Sequence, residues 1–223
     1  MSSRYDRLLS LSSFSEEDLK TLQSKKVLII GVGGVGQHIA TYLVTNGVEN
    51  LTIVDFDDVE ISNLNRQILL SEQDIGKPKV DVVKKALNDK NRNANIHAFN
   101  LKVDKTNADG IITNSYDVVV DALDNWKGKL LLSDICKEKH LSLLHVGVDG
   151  MNGQFCIFES HSLRDIVSPD IVKEERDGVM GPIVGAVSAT AATYLLEYLT
   201  NKKDSDILFG LDFAQNKINS IKL

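Results

Sequence analysis

Gly31-Val-Gly-Gly-Val-Gly36 lacks the side chains that keep a backbone away from an anion, and Gly31, Gly33 and Gly36 satisfy GxGxxG spacing, with Gly34 added. Residues 27–30 ahead of it are an unbroken apolar run suited to a strand buried on both faces, and helical spacing follows. A helix opening at this turn presents unpaired amides and the positive end of its dipole to phosphate. That says only that a nucleotide binds. Asp55 lies about 20 residues on, at the carboxyl end of the run 51–54, where a dinucleotide-binding unit keeps the acid for ribose hydroxyls. To this point a nicotinamide-dependent dehydrogenase fits as well as an ATP-using enzyme.

The next residues favour a triphosphate. Asp57, Asn63, Arg66 and Gln67 crowd the polar stretch after Asp55, and Lys79 follows Gly76-Lys77-Pro78. A dinucleotide has little use for so many polar and cationic groups past its ribose acid. A triphosphate does: Asn hydrogen-bonds phosphate oxygens, while Arg and Lys balance the charge that shifts during phosphoryl or nucleotidyl transfer. Mg²⁺ takes one or two carboxylates and leaves its other positions to phosphates and water. Asp124, past the apolar run 116–120, is the leading metal ligand, Asp121 is its competitor, and Asn125 can cap the next helix. Plainer readings stand beside these: glycines for a tight turn only, Asp121 as a turn cap, Lys79 as a surface lysine, Arg7 as a solvated residue near the terminus.

These groups need a scaffold, and the hydrophobic pattern supplies one. Ser15 with Asp18 forms a capping box, Phe14 and Leu19 sit at staple positions, and a helix to about Ser24 follows, leaving Arg7 on an arm ahead of it. Helices are predicted after Gly34 (stopping at Gly47) and over 79–91, 105–113, 127–139 and 181–200, the last with Pro182 in its first turn. Strands are predicted at 27–30, 51–54, 96–99, 116–120 and 142–148, then at 154–158, antiparallel to its predecessor, and at 206–213 and 217–222 around Gln215-Asn216. Residues 159–178 show no period and read as a flexible, functional loop. The class is α/β: a Rossmann-like, mostly parallel sheet flanked by helices, with antiparallel strands added in the C-terminal half. Residues 1–223 read as a single domain, with the arm and first helix over 1–25.

Composition excludes several alternatives. An apolar fraction of 43% and a charged fraction of 25% suit a soluble globular chain, and no window approaches the ~18 apolar residues of a membrane span. MSSRYDRLLS lacks a signal-peptide layout. A net charge of −6 argues against a nucleic-acid partner, and the lysines around 77–85 and 127–139 read as solvated helix faces. Two cysteines make no disulfide framework, so a reducing cytoplasm is expected.

Taken in order, Gly31–Gly36, Asp55-Phe-Asp57, Ser62-Asn-Leu-Asn-Arg-Gln67, Gly76-Lys-Pro-Lys79 and Asp121-Ala-Leu-Asp-Asn125 resemble the motif series of the ThiF/MoeB/HesA family. These are the ubiquitin-activating-enzyme-like adenylyltransferases. Arg4-Tyr-Asp-Arg7, Gly150-Met-Asn-Gly-Gln154 and Gly178-Val-Met-Gly-Pro182 resemble its other landmarks, so the likeness spans essentially the whole chain. It implies that the C-terminal carboxylate of a small ubiquitin-like sulfur-carrier protein attacks the α-phosphorus of Mg·ATP, giving an acyl-adenylate and pyrophosphate. It also implies roles: Gly31, Gly33, Gly34 and Gly36 for the nucleotide, Asp55 for the ribose, Asn63, Arg66 and Lys79 for phosphates, and Asp124 for Mg²⁺. Asp57, Gln67 and Asn125 belong to the same nucleotide site, and Arg7 matches an arm arginine that reaches a partner's ATP, which makes a homodimer the corollary. Thiamin thiazole or molybdopterin sulfur supply is the implied setting. Relatives that activate a modified tRNA adenosine or a peptide C-terminus are the alternative, as is a catalytically silent carrier-binding subunit.

The chain departs from the family pattern at its cysteines. Many members hold zinc with two CxxC pairs, but here Cys136 and Cys156 stand alone, so no structural zinc is expected. The segment 172–177, where thioester- or persulfide-forming members carry a cysteine, has none. Cys136 and Cys156 read as small core residues, and His38 and His145, though near the nucleotide side of the sheet, are assigned no catalytic role. The expected chemistry stops at adenylation.

Overall fold

The runs of four to seven residues that are too short for helices pair side by side. In the computed structural model, which describes residues 3–167 and 178–223, they form an eight-stranded sheet of order β3-β2-β1-β4-β5-β6-β7-β8. Its strands are β1 (Lys26–Ile30), β2 (Asn50–Asp55), β3 (Asn95–Asn100), β4 (Val118–Asp121), β5 (Leu143–Asp149), β6 (Asn152–Phe158), β7 (Ile207–Asp212) and β8 (Lys217–Lys222). The first five are mutually parallel, and β6, β7 and β8 join antiparallel. Strand β1 is central, its Val27–Ile30 fully buried, because helices cover both faces of the parallel part.

Those helices are α3 (Gly34–Thr45), α4 (Lys79–Lys90), α6 (Trp126–Glu138) and α8 (Gly181–Leu199). One core layer packs α3, α4 and α8 on Ile29, Ile53, Val120 and Phe155; the other packs α6 on Leu28, Val54, Val119 and Phe158. Gly47 follows the end of α3 at φ +114°, a conformation that favours glycine, and a Cβ there would also meet Leu19 Cδ1 at 2.7 Å. Among the described residues no helix is long and apolar enough to cross a membrane.

The capping box of Ser15 and Asp18 is present and starts α2 (Glu16–Ser24). Two short helices lack a readable period: α1 (Asp6–Leu9) on the arm and α7 (Leu163–Ile166), the latter started by Ser162 and Asp165 inside the stretch read as loop. The short helix expected over 105–113 is a single turn, α5 (Ala108–Ile111). Residues 168–177 of the expected 159–178 loop lie outside the described residues.

Candidate active site

Strand order reverses between β1 and β4: the chain leaves β1 toward β2 on one side and returns to β4 on the other. At such a switch point a crevice opens beyond the carboxyl ends of the strands, which is where open α/β sheets bind ligands. The loops that line it hold the sequence-predicted residues other than Arg7. Helices α3, α4 and α6 all begin at this edge, so their amino ends turn partial positive charge toward the crevice.

The glycines divide into two kinds. Gly31 takes φ +93°, and a Cβ on it would sit 2.7 Å from the Ala122 carbonyl oxygen. A Cβ on Gly36 would run into the Gly31 carbonyl. Both let α3 close on β1 and β4, a packing role. Gly34 faces protein too, with Val184 Cγ1 at 3.0 Å and Arg66 Cγ at 3.3 Å from a would-be Cβ. Gly33 differs: it is the N-cap of α3, and a Cβ there would meet only Gln67 Nε2, at 3.7 Å. Open space lies above Gly33, and a phosphate can approach its backbone there.

Asp55 ends β2 and is tied to both neighbours. Its Oδ2 accepts the Val32 N–H at 2.7 Å and its Oδ1 the Asp57 N–H at 2.9 Å. A carboxylate has about four acceptor positions, so two remain for ribose hydroxyls. The segment after it zips to 76–79: Val59 N–H donates to the Lys77 carbonyl and Lys79 N–H to that of Asp57. This brings Lys79 Nζ to 2.9 Å from Asp57 Oδ2, with the lysine 5% exposed and the aspartate 50%. Lys79 is therefore no surface lysine. It is a nearly dry cation whose partner is half exposed.

Asn63, Arg66 and Gln67 share a tight polar loop. Asn63 is buried, and its side-chain oxygen accepts the Glu60 N–H at 3.1 Å. Arg66 is held by one nitrogen, Nη1, which donates to the Ser62 carbonyl and to Asn65, both at 2.9 Å. Gln67 is buried and pairs with Gln37, a residue the sequence reading missed. The Gln37 amide donates to the Val32 carbonyl (2.9 Å) and to Gln67 (3.2 Å) and accepts the Leu69 N–H (2.9 Å). Gln67 thus holds the polar loop to the glycine turn from beneath. A Cβ on Gly181 would strike the Asn65 carbonyl, so the start of α8 closes the loop's other side.

Asp124 and Asn125 lie on the turn between β4 and α6. Asn125 caps α6 by accepting the Gly128 N–H at 2.8 Å. Asp124 is exposed, with a 3.4 Å contact from the Asn125 amide. Asp121 is its opposite: fully buried, 3.1 Å from Lys129 Nζ and 2.8 Å from His145 Nδ1. Burial alone would raise the Asp121 carboxyl, but the Lys129 charge and the His145 hydrogen bond outweigh it and hold it low. Burial, reinforced by the Lys129 charge, keeps His145 below its ordinary pKa and so neutral. Asp121 is spoken for, and Asp124 is the carboxylate that faces outward. Lys129, 3% exposed, lies in a stretch whose lysines read as a solvated helix face; its ammonium instead turns inward because Asp121 is there to receive it.

Arg7 stands apart from the cluster. Helix α1 docks at the far ends of α3 and α4, where Arg4 Nη1 donates to the Lys90 carbonyl at 2.7 Å and Asn91 Nδ2 approaches the Tyr5 hydroxyl at 3.4 Å. Arg7 is exposed there, a helix length, about 18 Å, from Gly33. His38 bonds the Gly34 carbonyl within α3 at 2.7 Å. Cys136 and Cys156 are buried, and burial pushes both thiols up to about 12, which leaves no thiolate nucleophile at neutral pH. A polar recess of about 460 Å³ between Lys25, Asp117, Tyr198 and Lys222 lies at the opposite edge of the sheet and shares no residue with this cluster.

The chain is similar to several known proteins. The molybdopterin-synthase adenylyltransferase of Haemophilus influenzae is 34% identical over 196 residues, covering 85% of this chain and 80% of the relative. The SAMP-activating enzyme E1 of Haloferax volcanii is 32% identical over 217 residues, covering 92% of this chain and 80% of the relative. In fold, a crystal structure of E. coli MccB with MccA-N7isoASN matches with a TM-score of 0.88 at 21% identity, over 99% of this chain and 71% of that one. The model of the ThiF family matches residues 5–223, and the chain belongs to that family.

Proposed function

We propose that this chain is an ATP-dependent adenylyltransferase that activates the C-terminal carboxylate of a small ubiquitin-like sulfur-carrier protein and releases pyrophosphate. One of the two relatives is named for adenylating molybdopterin synthase and the other for activating SAMP. What supports the reading is that the loops carrying Asp55, Lys79, Arg66 and Asp124 all leave the same carboxyl edge of the sheet as the glycine turn, with open space at Gly33. A dehydrogenase needs only the first of these.

In this reading ATP lies with its ribose on Asp55 and its phosphates over the α3 amino end. A carboxylate oxygen of the carrier attacks the α-phosphorus, forming a new P–O bond as the bridging bond to the β-phosphate breaks. The departing pyrophosphate carries the electron pair, and no proton has to move. The demand on the protein is electrostatic and geometric. Lys79 and Arg66 offset charge on the non-bridging and leaving oxygens, and the Asn63 amide donates a further hydrogen bond. The Asp57–Lys79 pair keeps the ammonium in place before ATP arrives.

Mg²⁺ asks for one or two carboxylates, and the exposed, lightly engaged Asp124 fits that demand. Bound there with ATP, the ion would offset phosphate charge. Arg7 lies too far from its own crevice, so it would serve the crevice of a second copy in a homodimer with two shared sites. The residues form one adenylyltransferase domain, and nothing in the buried cysteines equips it for a later thioester step. Intact-mass spectrometry of a candidate carrier incubated with the protein and Mg·ATP tests the reading. A carrier bearing one AMP on its terminal carboxylate is expected. An unmodified carrier, while ATP binding is intact, would overturn it.

A further inference from the structure

Asp124 sits at the tip of a short turn that is clamped from several sides. At its start, Asp121 Oδ1 accepts the Leu123 N–H at 3.2 Å. At its end, Asn125 accepts the Gly128 N–H, closing the first turn of α6. One turn further along that helix, Lys129 reaches back: its Nζ donates to Asp121 Oδ2 at 3.1 Å and to the Val146 carbonyl at 2.7 Å, which ties the turn to β5. His145, on the same strand, holds Asp121 Oδ2 at 2.8 Å and meets the Gln154 amide at 3.3 Å through its other nitrogen. The turn also lies against the glycine loop, because the Ala122 N–H donates to the Ile30 carbonyl at 3.0 Å and the Ala122 carbonyl abuts Gly31.

A buried ion pair is an expensive way to hold a fold together. Well-packed apolar residues of the same volume do it as well or better. Its use lies in geometry: two opposite charges and a neutral imidazole, all fully or almost fully buried, admit one arrangement where a greasy contact would admit several. What that arrangement fixes here is the direction in which Asp124 leaves the β4 end.

We propose that Lys129 and Asp121 are positioning residues for adenylation: the buried pair sets the Asp121–Asn125 turn so that the Asp124 carboxylate faces the nucleotide crevice. The inference rests on the adenylation reading above for its metal site, yet it concerns residues that touch neither ATP nor the carrier. It predicts a defect in metal use, separate from any loss of stability.

The test is the charge-neutral, shape-keeping double variant Lys129→Met/Asp121→Asn. Two titrations are made against Mg²⁺: binding of a non-hydrolysable ATP analogue by calorimetry, and carrier-dependent ATP–pyrophosphate exchange. For a folded double variant, the half-saturating Mg²⁺ concentration should rise at least fivefold in both, kcat should fall about tenfold, and KM for the carrier should stay within twofold of wild type. Unchanged Mg²⁺ dependence in a folded variant would reduce the pair to packing and overturn the proposal. Lys129→Arg keeps the charge but puts a broader, planar guanidinium where a compact ammonium is almost fully enclosed, and it should shift the Mg²⁺ midpoint about threefold in the same direction. If the double variant does not fold, that shift or its absence decides. If wild type shows no exchange with any carrier, the adenylation reading fails, and the calorimetric titration alone still decides the role of the pair.

Discussion

Gly33→Ala and Gly36→Ala should fail in opposite ways, because the same substitution meets different surroundings. At Gly36 the new methyl runs into the Gly31 carbonyl oxygen, with the carbonyl carbon at 3.0 Å and Ala122 Cβ at 3.3 Å. All three are backbone or short side chain, so none can swing aside, and α3 must move off β1. That belongs with the overpacking defects costing more than about 4 kcal/mol, a large share of the ~5–15 kcal/mol of a typical domain. At Gly33, φ is −74° and the nearest atom to a methyl is Gln67 Nε2 at 3.7 Å, an ordinary contact. Less freedom in the unfolded chain and a weaker N-cap nearly offset, so stability should change by about 1 kcal/mol or less. The methyl does fill the space a phosphate would use. Losing one charge-assisted hydrogen bond to phosphate, about 1.5–3 kcal/mol, weakens ATP binding roughly 10- to 150-fold. Thermal unfolding and calorimetry with a non-hydrolysable ATP analogue read the two effects separately. Wild-type affinity in Gly33→Ala, or wild-type stability in Gly36→Ala, would refute the division of the glycines.

Lys79→Met should lower kcat/KM for ATP by about 10- to 150-fold through a lost phosphate contact, while costing about 1 kcal/mol or less in stability, since Asp57 is half exposed and can rehydrate. Exchange kinetics within twofold of wild type would remove Lys79 from the site. Arg7→Ala and Asp124→Ala should each be inactive, and mixing them should restore part of the activity through hybrid dimers; no recovery, with subunit exchange demonstrated, would count against a shared site. In acid, Asp18 and Asp74 matter: hydrogen bonds from Lys202 and Ser15, and from Ser71 and Lys77, lower their pKa values from 3.8 to about 2. Folded values below unfolded ones mean that their stabilisation is complete above about pH 4 and is lost as pH falls through 2. Asp18→Asn/Asp74→Asn should therefore lose less stability than wild type between pH 4 and 2, as followed by urea unfolding; parallel losses would contradict the assignment.

Much of this was legible in the sequence because it is local. The apolar runs of β1, β2 and β4, the Ser15 capping box and the Asn125 cap each rest on residues a few positions apart. The order of motifs then placed the candidate ligands at one edge of the sheet. What stayed hidden is what tertiary contact decides. Lys129 has the spacing of a solvated helix face, and only the approach of β4 and β5 turns it inward onto Asp121 and Val146. Gln37 looks like any polar residue in an apolar helix until the 63–67 loop comes down on it, and its bond to Gln67 spans thirty positions. The glycines read alike in sequence, and their division depends on what a missing Cβ would have touched. Helices α1 and α7, four residues each, are shorter than the period that would reveal them.

The central claim, carboxylate activation on a carrier protein, is tested most directly by ATP–pyrophosphate exchange with labelled pyrophosphate. The protein is assayed alone, with a small carrier bearing a free C-terminal carboxylate, and with the same carrier amidated at that terminus. Exchange that appears only with the free carboxylate is predicted, because the reverse reaction needs an acyl-adenylate to attack. Exchange without a carrier, equal exchange with the amidated one, or none with any carrier while ATP still binds would contradict the account.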